Sequence, residues 1–398
     1  MNPQKRPLAS HMAATMPPSG IREFFDLVIG RDDVVSLGVG EPDFATPWKI
    51  CDAVIDSLRN GATSYTSNHG LIELRRAIST DIATRYGVEY HPETEIVVTM
   101  GVSEGMDVAM RAILNPGDEV IVPEPCYVSY KPSVVFAGGV PVTITTYEKD
   151  DFKLRPEALR AAITPKTRAL VIGYPSNPTG AVMTGKELAQ IAAVAREHDL
   201  IVLSDEIYAH LTYDGTHTCF SSLPGMRERT LILNGFSKAY AMTGWRIGYA
   251  CGPAEIVNAM VRIHAYTALC APIMGQIGAT EALLHCEDEM RRMVSAYDQR
   301  RRLFVAGLNE IGLRCFEPRG AFYAFPSIEA TGLKSRAFAK SLLFEESVAA
   351  VPGDAFGPCG EGYLRCTYAT SLDNLKLALE RMHGFLEKLR GGSIAVDE

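Results

Sequence analysis

Hydrophobic and polar positions along the chain change period again and again. Short apolar runs, Ile96-Val-Val-Thr, Glu119-Val-Ile-Val, Val140-Pro-Val-Thr-Ile-Thr, Ala169-Leu-Val-Ile, Leu200-Ile-Val-Leu and Thr230-Leu-Ile-Leu, each stop at a polar loop and predict buried strands. Between them the spacing turns helical. Leu71-Ile-Glu-Leu-Arg-Arg-Ala-Ile follows Gly70, a short helix is expected from near Pro156, and Thr184 with Glu187 is spaced as a capping box ahead of a helix that leaves His198 on its exposed side. Strands alternating with helices predict an α/β fold whose mostly parallel sheet is covered on both faces.

The flanks carry weaker patterns. Ser19 to Val28 predicts a short amphipathic helix packing Ile21, Phe24 and Phe25. The stretch from Val34 to Pro47 predicts a short strand joined to a helix that Thr46 is expected to N-cap, with Pro47 in its first turn and Gly61 at its end. Residues 253–268 read as helix, and one long periodic pattern from Met274 to Leu308 predicts a linking helix. Beyond it, Gly320-Ala-Phe-Tyr-Ala-Phe-Pro and Glu361-Gly-Tyr-Leu-Arg365-Cys-Thr-Tyr-Ala-Thr-Ser predict strands of a smaller C-terminal domain.

A chain of 398 residues exceeds one ordinary core and suggests two domains. Composition, 47% apolar and 22% charged, is that of a globular protein. A net charge of −8 and the lack of a basic stripe argue against nucleic acid or an anionic membrane as partner. No apolar run reaches the roughly 18 residues of a membrane span, and Met1 to Ser19 carries Lys5 and Arg6 with no apolar stretch behind them, so neither span nor signal peptide is expected. Nine scattered cysteines without a Cys-x-x-Cys pair predict reduced thiols in a cytoplasmic protein and no metal site.

The candidate chemistry sits where the strands end. Asn234-Gly-Phe-Ser-Lys238-Ala-Tyr-Ala-Met-Thr-Gly-Trp-Arg246 places a lysine and an arginine in a small-residue, aromatic loop. Apolar surroundings lower a lysine's pKa and free its amine to form a Schiff base, while an arginine can clamp a phosphate bidentately. Two more strand ends, Tyr174-Pro-Ser-Asn177-Pro-Thr-Gly180 and Ser204-Asp205-Glu-Ile-Tyr208, carry polar side chains, and ligands of open α/β sheets collect at such ends. Gly101-Val-Ser103, between a strand and a helix, points a helix N-terminus at an anion. Gly38-x-Gly40 lacks the third glycine of a dinucleotide fingerprint and reads as a tight turn. Arg365 within an apolar strand needs an anion, which a buried carboxylate or a ligand would supply equally well.

These motifs, in this order and spacing, resemble the pyridoxal-phosphate-dependent aminotransferases of the aspartate-aminotransferase superfamily, class I/II and fold type I, from about Ser36 to about Ser371. Pro17-Pro-Ser-Gly-Ile-Arg-Glu-Phe-Phe-Asp-Leu resembles a branch holding broad-range, aromatic and acetyl-diaminopimelate aminotransferases. The resemblance implies pyridoxal 5'-phosphate bound through Lys238, its phosphate at Gly101, Val102, Ser103 and Arg246, and its ring stacked on Tyr127. It further implies Asp205 at the ring nitrogen, and Tyr208 and Asn177 at the ring oxygen. Gly40, Asn177 and Arg365 would meet the substrate, and Tyr65 would reach the cofactor of a second subunit in a homodimer with shared active sites. Lys238, Asp205 and Tyr208 are the catalytic residues on this reading.

The implied activity moves the amino group of an L-amino acid to a 2-oxo acid through pyridoxamine phosphate. The implied division is an arm with part of the small domain over residues 1–45, a large cofactor-binding domain over 46–295, and a small α+β domain over 296–398. Gly235 departs from the serine of many relatives, which leaves Ser103, Arg246 and backbone N–H groups to hold the phosphate. Ser103 also stands where some aspartate-using relatives place a lysine, which predicts a neutral or aromatic donor unless a residue such as Arg22 supplies a second cation. An aspartate-type aminotransferase and a carbon–sulfur β-lyase are the alternatives within the fold, and an effector-sensing domain of a transcription regulator is the alternative outside enzymes.

Overall fold

The computed structural model describes residues 8–18, 20–26, 28, 30–31 and 33–392. In chain order the strands are β1 (Val35–Ser36), β2 (Ile96–Thr99), β3 (Glu119–Glu124), β4 (Val140–Thr145), β5 (Thr167–Gly173), β6 (Ile201–Asp205), β7 (Thr230–Gly235), β8 (Gly248–Cys251), β9 (Tyr323–Ala324), β10 (Val348–Ala349), β11 (Val351–Pro352) and β12 (Leu364–Thr367).

Among the described residues a seven-stranded sheet runs in the order β2-β8-β7-β6-β5-β3-β4. Its neighbours pair in parallel except at β8, which is antiparallel to both β2 and β7. Successive side chains of a strand point to opposite faces, and the burial follows that period of two. Val120, Val122, Leu203, Leu231 and Leu233 join one core beneath the helices Gly101–Ile113 and Ala254–Thr267. Ile121, Leu170, Ile172 and Val202 face the other way, toward Leu188 and Ile191 of the helix Gly185–Glu197. Burying each such side chain is worth about 1.5–3 kcal/mol, so covering both faces fixes the layered α/β arrangement.

The terminal segments meet beside this sheet. β1 pairs in parallel with β10, and β11, β12 and β9 form an antiparallel trio. A third core, with Leu37, Tyr297, Phe304, Phe322, Val348, Met382 and Phe385, joins these strands to the helices Glu287–Glu310 and Leu372–Arg390. No helix among the described residues is long and apolar enough to cross a membrane, and the nine cysteines are free thiols.

The capping box at Thr184 and Glu187 forms, and His198 is exposed at that helix's C-cap. The helix Gly20–Asp26 forms as the pattern predicts and buries Phe24, whereas Ser19, the side chain of Phe25 and residues 1–7 lie outside the described residues.

Three expectations are corrected. Pro47, not Thr46, occupies the N-cap of the helix Trp48–Arg59. One position too early to cap, the Thr46 hydroxyl instead donates to Ala241 O at 2.6 Å and accepts from Trp245 Nε1 at 3.0 Å, bracing the loop behind Lys238. The pattern from Met274 to Leu308 is two helices, Ile273–His285 and Glu287–Glu310, parted at Cys286. Glu287, Asp288 and Glu289 favour a fresh N-terminus there, since acids stabilise the positive end of a helix. The strand expected across residues 320–326 shrinks to Tyr323–Ala324, because Ala321 has a φ of +57° and turns the chain just before it.

Candidate active site

A cavity of about 510 Å³ opens where β5, β6 and β7 end, roofed by residues of the terminal segments. Ten of the twelve expected site residues line it; the exceptions are Gly101 and Tyr65.

One end of the cavity is built for an anion. Gly101 opens its helix with a φ of +76°, and a Cβ there would stand 2.6 Å from Arg246 Nη2. Glycine therefore serves both the turn and the close approach of the guanidinium. Val102 and Ser103 follow on the cavity wall, so first-turn N–H groups, the Ser103 hydroxyl and Arg246 converge. Arg246 holds a φ of +56°, an uncommon conformation for a side-chain-bearing residue, and is braced by its Nη1 donating to Thr243 O at 2.9 Å.

Asp205 ends β6 on the cavity floor. Burial pushes its carboxyl up to about 6, while Tyr130 Oη, donating to Oδ2 at 2.7 Å, and the Ile207 N–H, donating to Oδ1 at 3.2 Å, pull the other way. The next residue, Glu206, points away from the cavity to His217 Nε2 at 2.9 Å and accepts from Ser204 Oγ and the Phe220 N–H, each at 3.0 Å. Tyr208, in the turn beyond, has its hydroxyl 2.7 Å from that of Tyr323. Tyr127 stands edge-on to Tyr130, ring centroids 5.7 Å apart, and presents its side chain to the cavity.

Lys238 donates from Nζ to Gly40 O at 2.6 Å. Burial brings its amine down to about 8, with the positive charges of Arg365 and Arg246 adding to the shift and Glu41 and Asp205 opposing it. Gly40 must lack a side chain, because a Cβ would lie 2.6 Å from Tyr323 Oη.

Arg365 is only 2% exposed, yet among the described residues it has no carboxylate partner. Nη2 donates to Gly38 O at 2.6 Å and Nη1 to Asn177 Oδ1 at 3.2 Å, while Nε is buried without a partner. The guanidinium carbon lies 4.5 Å from the Tyr323 ring centroid and 5.0 Å from that of Phe356. Of the two anions the sequence left open, a buried carboxylate of the described residues is therefore not the one supplied.

Tyr65 is 84% exposed and lies off the cavity of its own chain. At Gly235, a Cβ would stand 2.8 Å from Ile247 O and 2.9 Å from the Gly248 Cα, so a serine has no room in this strand pair. Sequence reasoning gave no place in the site to Tyr130, Tyr323, Glu41 or Ile21, the last read as a packing residue, yet all four reach the cavity. Tyr130 and Tyr323 act through partners 75 and 115 residues away in sequence, which no local pattern reports.

The donor set fits pyridoxal phosphate: an anion cradle, a neutralisable amine, a buried carboxylate and a carboxylate-seeking guanidinium share one space. The family model for aminotransferase class I and II matches residues 32–382. The Bacillus subtilis (strain 168) protein YugH is 53% identical over 371 residues, 93% of this chain and 96% of that protein. Aromatic-amino-acid aminotransferase 2 of Thermococcus litoralis is 44% identical, covering 93% of this chain and 96% of that one. The structure of Thermus thermophilus aspartate aminotransferase with maleate superposes with a TM-score of 0.90 at 40% identity, covering 94% of this chain and 99% of that one.

Proposed function

Since the chain belongs to the class I and II aminotransferases, pyridoxal-phosphate enzymes of fold type I, we propose that it moves the amino group of a neutral or aromatic L-amino acid to a 2-oxo acid within the cavity around Lys238. The observation that carries the assignment of the site is the buried Arg365, whose Nε has no partner and which meets no carboxylate among the described residues, while it lines the same cavity as Tyr323 and Lys238.

The cofactor, when bound, supplies an aldehyde that takes up the amino group and a ring that withdraws electrons from the bond being broken. Gly101, Val102, Ser103 and Arg246 would hold its phosphate, and Tyr127 would lie against its ring. Asp205 would hold the ring nitrogen protonated, since a nearby carboxylate stabilises a cation. Tyr208 and Asn177 would donate to the ring oxygen. Arg365 would fix the substrate carboxylate beside Asn177 and Gly38, which would orient the Cα hydrogen toward Lys238. The Lys238 amine is the group placed to take that proton from Cα as general base and to return it as general acid. The second half-reaction runs the same residues in reverse on a 2-oxo acid.

The donor preference rests on the cations that remain. Arg246 serves the phosphate and Arg365 the α-carboxylate, and Ser103 offers only a hydroxyl. Arg22, carried over the cavity by the helix Gly20–Asp26 next to Ile21, already has interactions within the chain. An acidic side chain would therefore enter poorly matched, at a cost of several kcal/mol if unpaired. Comparing kcat/KM for phenylalanine, methionine, alanine and aspartate tests this. A preference for aspartate of about tenfold or more, roughly 1.4 kcal/mol, would assign Arg22 to a second carboxylate and make the enzyme aspartate-type. Stoichiometric pyridoxamine phosphate from donor alone supports transfer, and ammonia release would instead indicate β-elimination.

The same reading includes a homodimer in which Tyr65 completes the partner's site, and a cytoplasmic setting consistent with nine free thiols. It divides the chain into an arm over 1–45, a large domain over 46–295 and a small domain over 296–398, with the second boundary inside the helix Glu287–Glu310.

A further inference from the structure

We propose that Tyr323 is a positioning residue that ties Arg365 to Tyr208, its ring face carrying the guanidinium and its hydroxyl donating to the Tyr208 oxygen so that the Tyr208 proton is aimed into the cavity. The proposal rests on the assignment of Arg365 to the substrate carboxylate and of Tyr208 to the cofactor.

Tyr323 sits on β9 opposite Thr367 of β12, two positions past Arg365, so register alone brings ring and guanidinium together. The 4.5 Å separation lies within cation–π range, and Arg365, lacking a carboxylate, draws on that ring for part of its stabilisation. The other end of the side chain is fixed as tightly. Its hydroxyl fills the space that Gly40 leaves and lies 2.7 Å from Tyr208 Oη. Each phenol has a single proton. If Tyr208 spends its own on a ligand in the cavity, the proton between the two oxygens belongs to Tyr323, and the direction of the bond is settled. A phenol that accepts one hydrogen bond donates the next more strongly. Tyr323 therefore sharpens Tyr208 as a donor from the far side of the fold, bridging a strand of the terminal segments to the turn after β6. The charged and titratable groups around its hydroxyl are Arg365, Tyr208, Tyr127 and Glu41.

Tyr323→Phe keeps the ring and removes the hydroxyl, whereas Tyr323→Leu removes both. Calorimetry of the apoprotein with 3-phenylpropionate reads the first link without the cofactor. Tyr323→Phe should bind within about twofold of wild type and Tyr323→Leu about tenfold more weakly. Equal binding by Tyr323→Leu would overturn the ring's part. The absorbance of the holoenzyme against pH reads the second link. Tyr323→Phe should move the midpoint of the bound cofactor's absorbance change upward by about half a unit, because a weaker donor at the ring oxygen holds neighbouring protons less well apart from it. In a Tyr208→Phe background the same substitution should do nothing further, since the bond it breaks is already gone. A shift that persists without the Tyr208 hydroxyl, or no shift in the single variant, overturns the link. A merely structural Tyr323 would lower the melting temperature and leave both midpoint and affinity in place. Because the calorimetric arm needs no cofactor, its outcome stands apart from the assignment of Lys238.

Discussion

Tyr130 Oη donates a 2.7 Å hydrogen bond to Asp205 Oδ2, joining the start of the helix Tyr130–Phe136 to the end of β6, and Gly173 leaves room for that hydroxyl by having no side chain. With burial pushing Asp205 up to about 6, this donor and the Ile207 N–H are what keep the carboxyl ionised near neutrality. A hydrogen bond to a charged group contributes about 1.5–3 kcal/mol. Tyr130→Phe should therefore lower turnover at neutral pH by about tenfold or more and move the acid limb of the kcat profile to higher pH. An acid limb in its original place would show that Tyr130 does not govern the Asp205 charge.

Lys238, brought down to about 8 by burial, should acylate or condense with aldehydes in the apoprotein along a pH curve centred near 8 and not near the ordinary 10.5. The folded site binds this proton less tightly than the unfolded chain does. Apoprotein stability should accordingly rise with pH between those two values, the penalty being fully present below about 8. Site-resolved labelling of Lys238 against pH measures the curve, and a midpoint above 10 would contradict the buried, neutral amine. Lys238→Ala should lose the borohydride-reducible chromophore altogether.

Arg365 separates function from stability. Arg365→Leu removes a buried cation that has no carboxylate partner, so the melting temperature should hold or rise while KM for amino acids climbs by about a hundredfold. A structural ion pair would behave in the opposite way, losing stability by about 3–5 kcal/mol when one partner goes. Thermal unfolding and steady-state kinetics on the one variant decide between them.

Tyr65 is exposed on its own chain and off its own cavity. If it completes the site of a second copy, mixing inactive Tyr65→Ala and Lys238→Ala chains should restore about a quarter of wild-type activity in statistical hybrids, each of which carries one intact site. Proven subunit exchange without any recovery would remove Tyr65 from the site.

Local sequence patterns suffice for the layered fold and for most of the cavity wall. Val120, Ile121 and Val122 alternate faces because a strand repeats every two residues, and Asn177, Asp205 and Lys238 follow such runs because ligands gather where parallel strands end. Those are local properties, and a linear pattern carries them. Boundaries and pairings depended on neighbours far away. Cys286 interrupts a helical period that runs on unbroken in the residues, and Thr46 leaves its cap for a carbonyl 195 residues on. Arg365 could have met a carboxylate or a ligand, and only the packing of Gly38, Asn177 and Tyr323 around it shows that the described residues offer no carboxylate. Tyr130 and Tyr323 look like any aromatic core residues in sequence. Their hydroxyls acquire a role only because folding sets them 2.7 Å from Asp205 and Tyr208, a distance fixed by the close approach of separate strands and turns and not by any residue nearby in the chain.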